Sequence, residues 1–218
     1  MNVFKKNIQG ILFDMDGTVL DSEGLFDRAQ IQYLKENNIV ISKSDLYDFK
    51  GLSYKDFYPR FIKKFKLSES TNDIRFKVRT YLHKIMEEEL RYISGFEVFF
   101  KSYILNKGFK VGLVTNTTRA TYNKIQTILN IDDYFQFVIT ATESQRPKPS
   151  SAPYLEAMES LCLIPEETLI IEDSKAGLIS AVNSGAHVVG LKTSLNSSQI
   201  QCISKKIYAI NHFRELAL

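Results

Sequence analysis

Short apolar runs recur along the chain, and several of them end in small or acidic residues. Six such runs do not alternate between apolar and polar positions, and they cover residues 11–13, 111–114, 137–139, 169–171, 187–191 and 207–210. Non-alternating runs of this length are typical of strands that are buried on both faces, as in a parallel sheet. The pattern therefore predicts a sheet whose two faces are both covered.

Helical periodicity lies between these runs. Residues 121–129 and 153–163 carry apolar side chains three and four positions apart, and 176–184 is followed by Gly185, a typical helix stop. Cys162 belongs to the second of these apolar faces, so we expect it to be buried. Alternating strands and helices predict an α/β fold with a doubly wound, mainly parallel, Rossmann-like sheet. Functional side chains are then expected at the carboxyl ends of the strands.

The stretch from residue 23 to residue 92 has a different pattern. It contains few strand-like runs and several amphipathic patterns, such as 26–34 and 74–90. We interpret it as an α-helical cap domain inserted directly after the first strand. The predicted division is an α/β core domain of residues 1–21 and 94–218, and a helical cap domain of residues 22–93.

Acidic residues follow two of the predicted strands. Asp14 and Asp16 come after the first run, and Glu172 and Asp173 come after the run 169–171. Four carboxylates at one edge of a sheet repel each other and need a cation to compensate them. Hard oxygen ligands favour Mg²⁺.

Three further polar residues are expected near this acidic edge. Thr115 and Asn116 follow the run 111–114, and Lys148 lies between two prolines. A hydroxyl, an amide and an ammonium group beside a metal held by carboxylates suit a phosphate group. We therefore expect these three residues to bind phosphate.

Four motifs in a fixed order carry a resemblance to a known family. They are Asp14-x-Asp16-Gly-Thr, then Thr115, then Lys148-Pro149, and last Glu172-Asp173-Ser174 with Gly177. Because the four motifs occur in this order at the ends of predicted strands, the chain resembles the haloacid dehalogenase-like (HAD) hydrolases over nearly its whole length. The position of the cap and the Asp21-Ser22 signature resemble the branch of β-phosphoglucomutase and phosphoglycolate phosphatase.

The resemblance implies a role for each acid. Asp14 would be the nucleophile that takes the phosphoryl group as an aspartyl phosphate, and Asp16 would be the general acid and base. Asp14, Asp16 and Asp173 would be ligands of Mg²⁺. Glu172 could bind the metal directly or through water, and the sequence does not decide between the two.

The remaining site residues follow from the same resemblance. Thr115 would hold the phosphoryl oxygens that are not transferred, and Lys148 would balance the charge of Asp14 and phosphate. Lys50 lies in a loop that is expected to face the site, so we expect it to contact the substrate.

Two departures from the family pattern favour hydrolysis. Mutases of this branch carry a His on the first cap helix and an Arg in a cap loop, and Phe26 and Tyr54 stand at the corresponding places. The sequence therefore predicts a Mg²⁺-dependent phosphatase for a small phosphorylated metabolite, of the phosphosugar or phosphoglycolate class. The alternatives are a hexose phosphate mutase and a non-catalytic binding protein that keeps the fold.

Composition narrows the class of partner. Of the 218 residues, 44% are hydrophobic and 24% are charged, which is ordinary for a globular protein. The net charge of +3 is too small to indicate nucleic acid or an acidic membrane as the partner.

No apolar run approaches the ~18 residues of a spanning helix, and two cysteines form neither a disulfide framework nor a four-ligand zinc site. We expect a cytoplasmic monomer.

Overall fold

The computed structural model describes residues 7–49, 52 and 54–216, without the side chain of Glu23. Within these residues, six parallel strands form one sheet. The strand order is β3-β2-β1-β4-β5-β6, and each neighbouring pair is parallel. The strands are β1 Gly10–Phe13, β2 Lys110–Val114, β3 Phe137–Ile139, β4 Thr168–Glu172, β5 His187–Leu191 and β6 Tyr208–Ile210. The predicted parallel sheet is confirmed, and every predicted run coincides with one strand.

Helices cover both faces of this sheet. The α-helices are α1 Glu23–Glu36, α2 Tyr54–Phe65, α3 Thr71–Glu89, α4 Phe96–Phe99, α5 Arg119–Leu129, α6 Ala152–Ser160, α7 Lys175–Asn183 and α8 Ser197–Ile203. Short 3₁₀ segments occupy Lys43–Phe49, Ile131–Tyr134, Pro165–Glu167 and Phe213–Leu216, and a π-helical turn, Phe100–Ile104, continues α4. Within the described ranges, no helix combines the length and the apolar character that a bilayer crossing requires.

The central strand β1 shows why its apolar residues do not alternate with polar ones. Ile11 and Phe13 pack into a core that includes side chains of α4 and α5. Leu12 points to the other face, into a second core that includes side chains of α6 and α7. Every residue of β1 is buried, because a strand covered on both faces has no solvent-facing position.

The helices α1, α2 and α3 follow β1 and form the helical insert, which we define as Glu23–Glu89. Its α1 and α3 pack against each other, and α3 buries residues at helical spacing, from Ile74 and Val78 to Leu82 and Met86. The predicted helical character of this stretch matches the structure. Its division from the rest of the chain as a separate domain of residues 22–93 stays a prediction.

The prediction that Cys162 is buried is wrong. The helix predicted over 153–163 ends at Ser160, and Cys162 adopts a left-handed conformation with a φ of 49°. This turn exposes Cys162 and returns Leu163 to the core, where it is 8% exposed. The apolar periodicity continued past the real helix end because residues on both sides of the turn pack on the same core.

Candidate active site

The sheet brings the predicted acids together at one edge. Phe13 pairs with Leu113 of β2 on one side and with Ile171 of β4 on the other. The residues that follow these strands therefore lie side by side. Carboxylate oxygens of Asp14, Glu172 and Asp173 lie within 4.8 Å of one another, and all three residues are buried.

Lys148 supplies a buried positive charge to this cluster. Its Nζ lies 2.6 Å from Oδ1 of Asp14, 2.7 Å from Oε1 of Glu172 and 2.7 Å from the carbonyl oxygen of Val114. Burial lowers the pKa of this ammonium group, but the charges of Asp14 and Glu172 outweigh that effect and leave the pKa above its ordinary value. Lys148 is therefore held in its charged form between two carboxylates.

The contact with Lys148 does not fully balance the negative charge around Asp14. Its Oδ2 is buried and has no hydrogen-bond partner among the described residues. Burial raises the pKa of the Asp14 carboxyl group well above its ordinary value, and the charge of Glu172 raises it further. Lys148 lowers this pKa but does not offset the other effects. The cluster thus has the unbalanced negative charge that suits a cation.

Protein donors hold both oxygens of Glu172. Oε1 accepts from Lys148 and, at 3.1 Å, from the hydroxyl of Tyr154, while Oε2 accepts from the backbone N–H of Asp173 at 2.8 Å and of Ser174 at 3.0 Å. A Cβ atom at Gly177 would lie 1.5 Å from Oε1 of Glu172, so only glycine leaves room for this arrangement. These contacts favour a role in which Glu172 fixes Lys148.

Hydroxyl groups from two distant loops orient Asp173. Thr18 donates to Oδ1 at 3.3 Å, and Thr193 donates to Oδ2 at 3.0 Å. Ser194 also donates to Oδ2. Gly17 adopts a φ of +84°, and a Cβ atom there would lie 2.3 Å from Oδ2 of Asp173. The carboxylate is therefore fixed before any ligand arrives.

Asp16 lies beside this cluster, with its carboxylate held by a separate set of hydroxyls. Ser22 donates to Oδ1 at 2.6 Å, and Thr117 donates to Oδ2 at 2.7 Å. Thr115 lies 3.4 Å from the same Oδ2. The carboxylate of Asp16 does not belong to the group of three clustered carboxylates in the described chain, so its role as a metal ligand stays a prediction.

Asn116 makes a two-way contact with the main chain of Lys148. Its Nδ2 donates to the carbonyl oxygen of Lys148 at 3.0 Å, and its Oδ1 accepts from the N–H of Lys148 at 3.0 Å. The amide thus fixes the loop that carries the lysine, and its predicted contact with phosphate stays a prediction. Lys50, the predicted substrate contact, lies outside the described residues.

A cavity leads from these residues into the helical insert. Asp14, Asp16 and Lys148 line one end of it. Phe26 and Tyr54, the two positions where mutases carry His and Arg, also line it. The departures noted in the sequence therefore lie on the same cavity as Asp14, Asp16 and Lys148.

Comparison with known proteins identifies the family. The model of the haloacid dehalogenase-like hydrolases matches residues 11–191. The chain belongs to this family. It is 28% identical over 197 residues to a phosphoglycolate phosphatase of Aquifex aeolicus, with 80% of each chain covered. It is 22% identical over 193 residues to a phosphorylated carbohydrates phosphatase of Thermotoga maritima, covering 88% of this chain and 89% of the relative.

A solved structure shows the same fold. The crystal structure of CbbY from Rhodobacter sphaeroides in complex with phosphate superposes with a TM-score of 0.80, at 19% identity, over 96% of each chain. At this identity the similarity establishes the fold alone. The predicted membership of the HAD-like hydrolases and the predicted fold class are confirmed.

The sequence did not single out several hydroxyl donors of this HAD-like site. Thr117 was missed beside Thr115, although it lies in the same loop after β2. Thr193 and Ser194 were missed because they follow β5, 20 and 21 residues beyond the Asp173 that they contact. The available signal was the position of these residues at the carboxyl end of a predicted strand.

Proposed function

We propose that this HAD-like hydrolase is a Mg²⁺-dependent phosphatase that hydrolyses a small phosphorylated metabolite through an aspartyl phosphate on Asp14. The observation that carries the proposal is the state of the Asp14 carboxylate. Lys148 holds Oδ1, while Oδ2 is buried without a partner and the residue lines the cavity. An oriented oxygen with no competing hydrogen bond suits a nucleophile.

The acidic cluster supports the requirement for a divalent cation. Three buried carboxylates face a single buried ammonium group, Lys148, among the residues that the structure describes. Burial raises the pKa of Asp14, the charge of Glu172 raises it further, and the charge of Lys148 does not offset these effects. Asp14 and Asp173 would hold Mg²⁺, and we also propose Asp16 as a ligand. The ion would draw charge from the phosphoryl oxygens.

The chain's own residues account for the proton transfers. Asp14 attacks phosphorus, the bond from phosphorus to the leaving oxygen breaks, and Asp16 gives its proton to that oxygen. Water then attacks phosphorus, Asp16 takes the proton of the water, and the Asp14 carboxylate is released with free phosphate. The hydroxyls of Ser22 and Thr117 hold Asp16 in position for both steps.

Water is the proposed acceptor of the phosphoryl group. Phe26 and Tyr54 line the cavity and lack the acid–base and cationic groups that a mutase has at these places. Relatives named for phosphoglycolate and for phosphorylated carbohydrates make these compounds the first substrates to test.

The experiment is a phosphate-release assay on phosphoglycolate and a panel of sugar phosphates, with and without Mg²⁺. Wild type is compared with Asp14→Asn and with Asp48→Asn, an exposed aspartate as a matched control. We expect release that requires both Mg²⁺ and Asp14, and an unaffected control. Conversion of glucose 1-phosphate to the 6-phosphate without release would indicate a mutase. Release by Asp14→Asn at the wild-type rate would refute the proposed nucleophile.

A further inference from the structure

The cavity has two chemically different ends. Asp14, Asp16 and Lys148 make one end polar and charged. The other end lies within the helical insert, and we call it the apolar end after most of its lining, although Asp27, Gln30, Arg75 and Arg79 of the insert also line the cavity. Its carbon-rich lining comes from six side chains of α1, α2, α3 and the 3₁₀ segment before α2, namely Phe26, Leu46, Phe49, Phe57, Val78 and Leu82. A leaving group that extends away from the phosphoryl group would contact this surface.

The apolar part of this lining discriminates against leaving groups rich in hydroxyls. A hydroxyl buried against Leu46, Phe49 or Leu82 would lose its hydrogen bond to water and gain no partner there. Each unpaired hydroxyl weakens binding by on the order of tenfold. A flat hydrocarbon ring carries no such penalty, and its burial against apolar side chains is favourable. The apolar end therefore fits a ring better than it fits an open polyol.

Flat and electron-rich groups are further favoured by two arginines. Arg75 and Arg79 lie one turn apart on α3 and line the cavity. The guanidinium group of Arg75 lies 4.5 Å from the ring centre of Tyr54 and 5.8 Å from that of Tyr58. The guanidinium group of Arg75 therefore lies close to two aromatic rings at this wall, and its positive charge attracts the face of an aromatic ring.

Gln30 of α1 supplies an unused acceptor at the same end. The residue is 8% exposed and lines the cavity, and its Oε1 is buried without a hydrogen-bond partner in the described part of the chain. Buried polar atoms are nearly always paired, so an unpaired one beside a cavity points to a donor on a ligand. The donor would be an N–H or O–H group on the substrate.

We propose that the substrate is a phosphomonoester whose leaving group carries a planar, largely apolar ring with one hydrogen-bond donor, and that Gln30 accepts from this donor. The inference rests on the proposed phosphatase function and names the substrate class for that site. It assigns Gln30 as a residue that determines specificity.

The test compares three esters of primary alcohols, so that the leaving oxygens are chemically similar. They are glucose 6-phosphate, benzyl phosphate and 3-hydroxybenzyl phosphate, each assayed with wild type and with Asp14→Asn. We expect kcat/KM for benzyl phosphate to exceed that for glucose 6-phosphate by at least about tenfold. The added hydroxyl should raise kcat/KM by a further several-fold, about the value of one hydrogen bond.

Two variants test the role of Gln30. Gln30→Leu keeps the side-chain volume and should remove the advantage of 3-hydroxybenzyl phosphate over benzyl phosphate. Gln32→Leu makes the same change on an exposed position of α1, where the side chain bonds to Glu36, and should leave that advantage intact. The ratio of two substrates on one variant does not depend on how much of the protein is folded. An unchanged ratio in Gln30→Leu would overturn the assignment of Gln30.

The substrate series separates this inference from the proposed function. Asp14-dependent release that is as fast from glucose 6-phosphate as from benzyl phosphate would overturn the ring proposal and leave the phosphatase standing. Absence of release from these esters and from the sugar phosphate panel would overturn both.

Discussion

Replacing Gly177 by alanine tests the packing that holds the acidic cluster. Gly177 lies in the first turn of α7, directly against the buried carboxylate of Glu172. An alanine Cβ would lie 1.5 Å from Oε1 and 1.9 Å from Cδ of Glu172. Neither distance is sterically possible, so the carboxylate must leave its position.

The cost follows from the contacts that this movement breaks. Oε1 would lose the hydrogen bonds from Lys148 at 2.7 Å and from Tyr154 at 3.1 Å. A hydrogen bond to a charged group contributes about 1.5–3 kcal/mol. Overpacking adds about 1–3 kcal/mol, and the higher helix propensity of alanine returns about 1 kcal/mol. We expect Gly177→Ala to lower the free energy of unfolding by about 3–8 kcal/mol.

Gly24→Ala is the matched control for this variant. Gly24 lies in the first turn of α1, and a Cβ atom there would meet nothing within 4 Å. The control should gain up to about 1 kcal/mol from helix propensity alone. The assay is urea unfolding followed by circular dichroism, with phosphate release measured on the same samples. Equal stability of the two alanine variants would show that Glu172 is not where this account places it.

Two further substitutions address the lysine and the metal site. Lys148→Met removes one partner of a buried charge cluster and should destabilise the fold by about 3–5 kcal/mol, measured by urea unfolding. Lys101→Met changes an exposed lysine and should alter the stability by no more than about 0.5 kcal/mol. Similar urea midpoints for the two variants would contradict the buried contacts of Lys148. Thr193→Val removes a hydroxyl that orients Asp173 and should raise the Mg²⁺ concentration for half-maximal phosphate release by about 10–100-fold. Thr193→Ser keeps the hydroxyl and should resemble wild type, so equal Mg²⁺ dependence of all three proteins would exclude this role for Thr193.

The sheet could be predicted from the sequence because its strands are buried on both faces. A run such as 169–171 leaves no polar position for a solvent-facing side, and every residue of β4 is buried. The position of Asp14 and Asp173 at one edge then followed from the parallel arrangement. The end of α6 could not be predicted, because Leu161 and Leu163 face the same core on either side of the turn at Cys162.

The contacts around the acids were less predictable. Glu172 stands next to Asp173 in the sequence, yet Glu172 accepts from the ammonium group of Lys148 and from backbone N–H groups, whereas hydroxyl groups hold Asp173. That difference depends on the space left by Gly177 and on Lys148, 24 residues earlier in the chain. Residue type indicates which groups can bind a metal, but three-dimensional packing decides which donors hold each carboxylate.

The residues that line the cavity in the helical insert could not be predicted from the sequence either. Gln30 and Arg75 lie on amphipathic helices, where polar residues normally face solvent. Only the packing of α1 against α3 shows that these two side chains line a cavity.

The most direct test of the central claim is detection of the phosphorylated residue. Wild type and Asp14→Asn are mixed with a substrate that wild type hydrolyses, quenched in acid during turnover, digested and analysed by peptide mass spectrometry. The account predicts that the wild-type peptide containing Asp14 gains the mass of one phosphoryl group, and that Asp14→Asn shows no such gain at any position. Phosphate release by wild type with the label on another residue, or with the same label in Asp14→Asn, would contradict it.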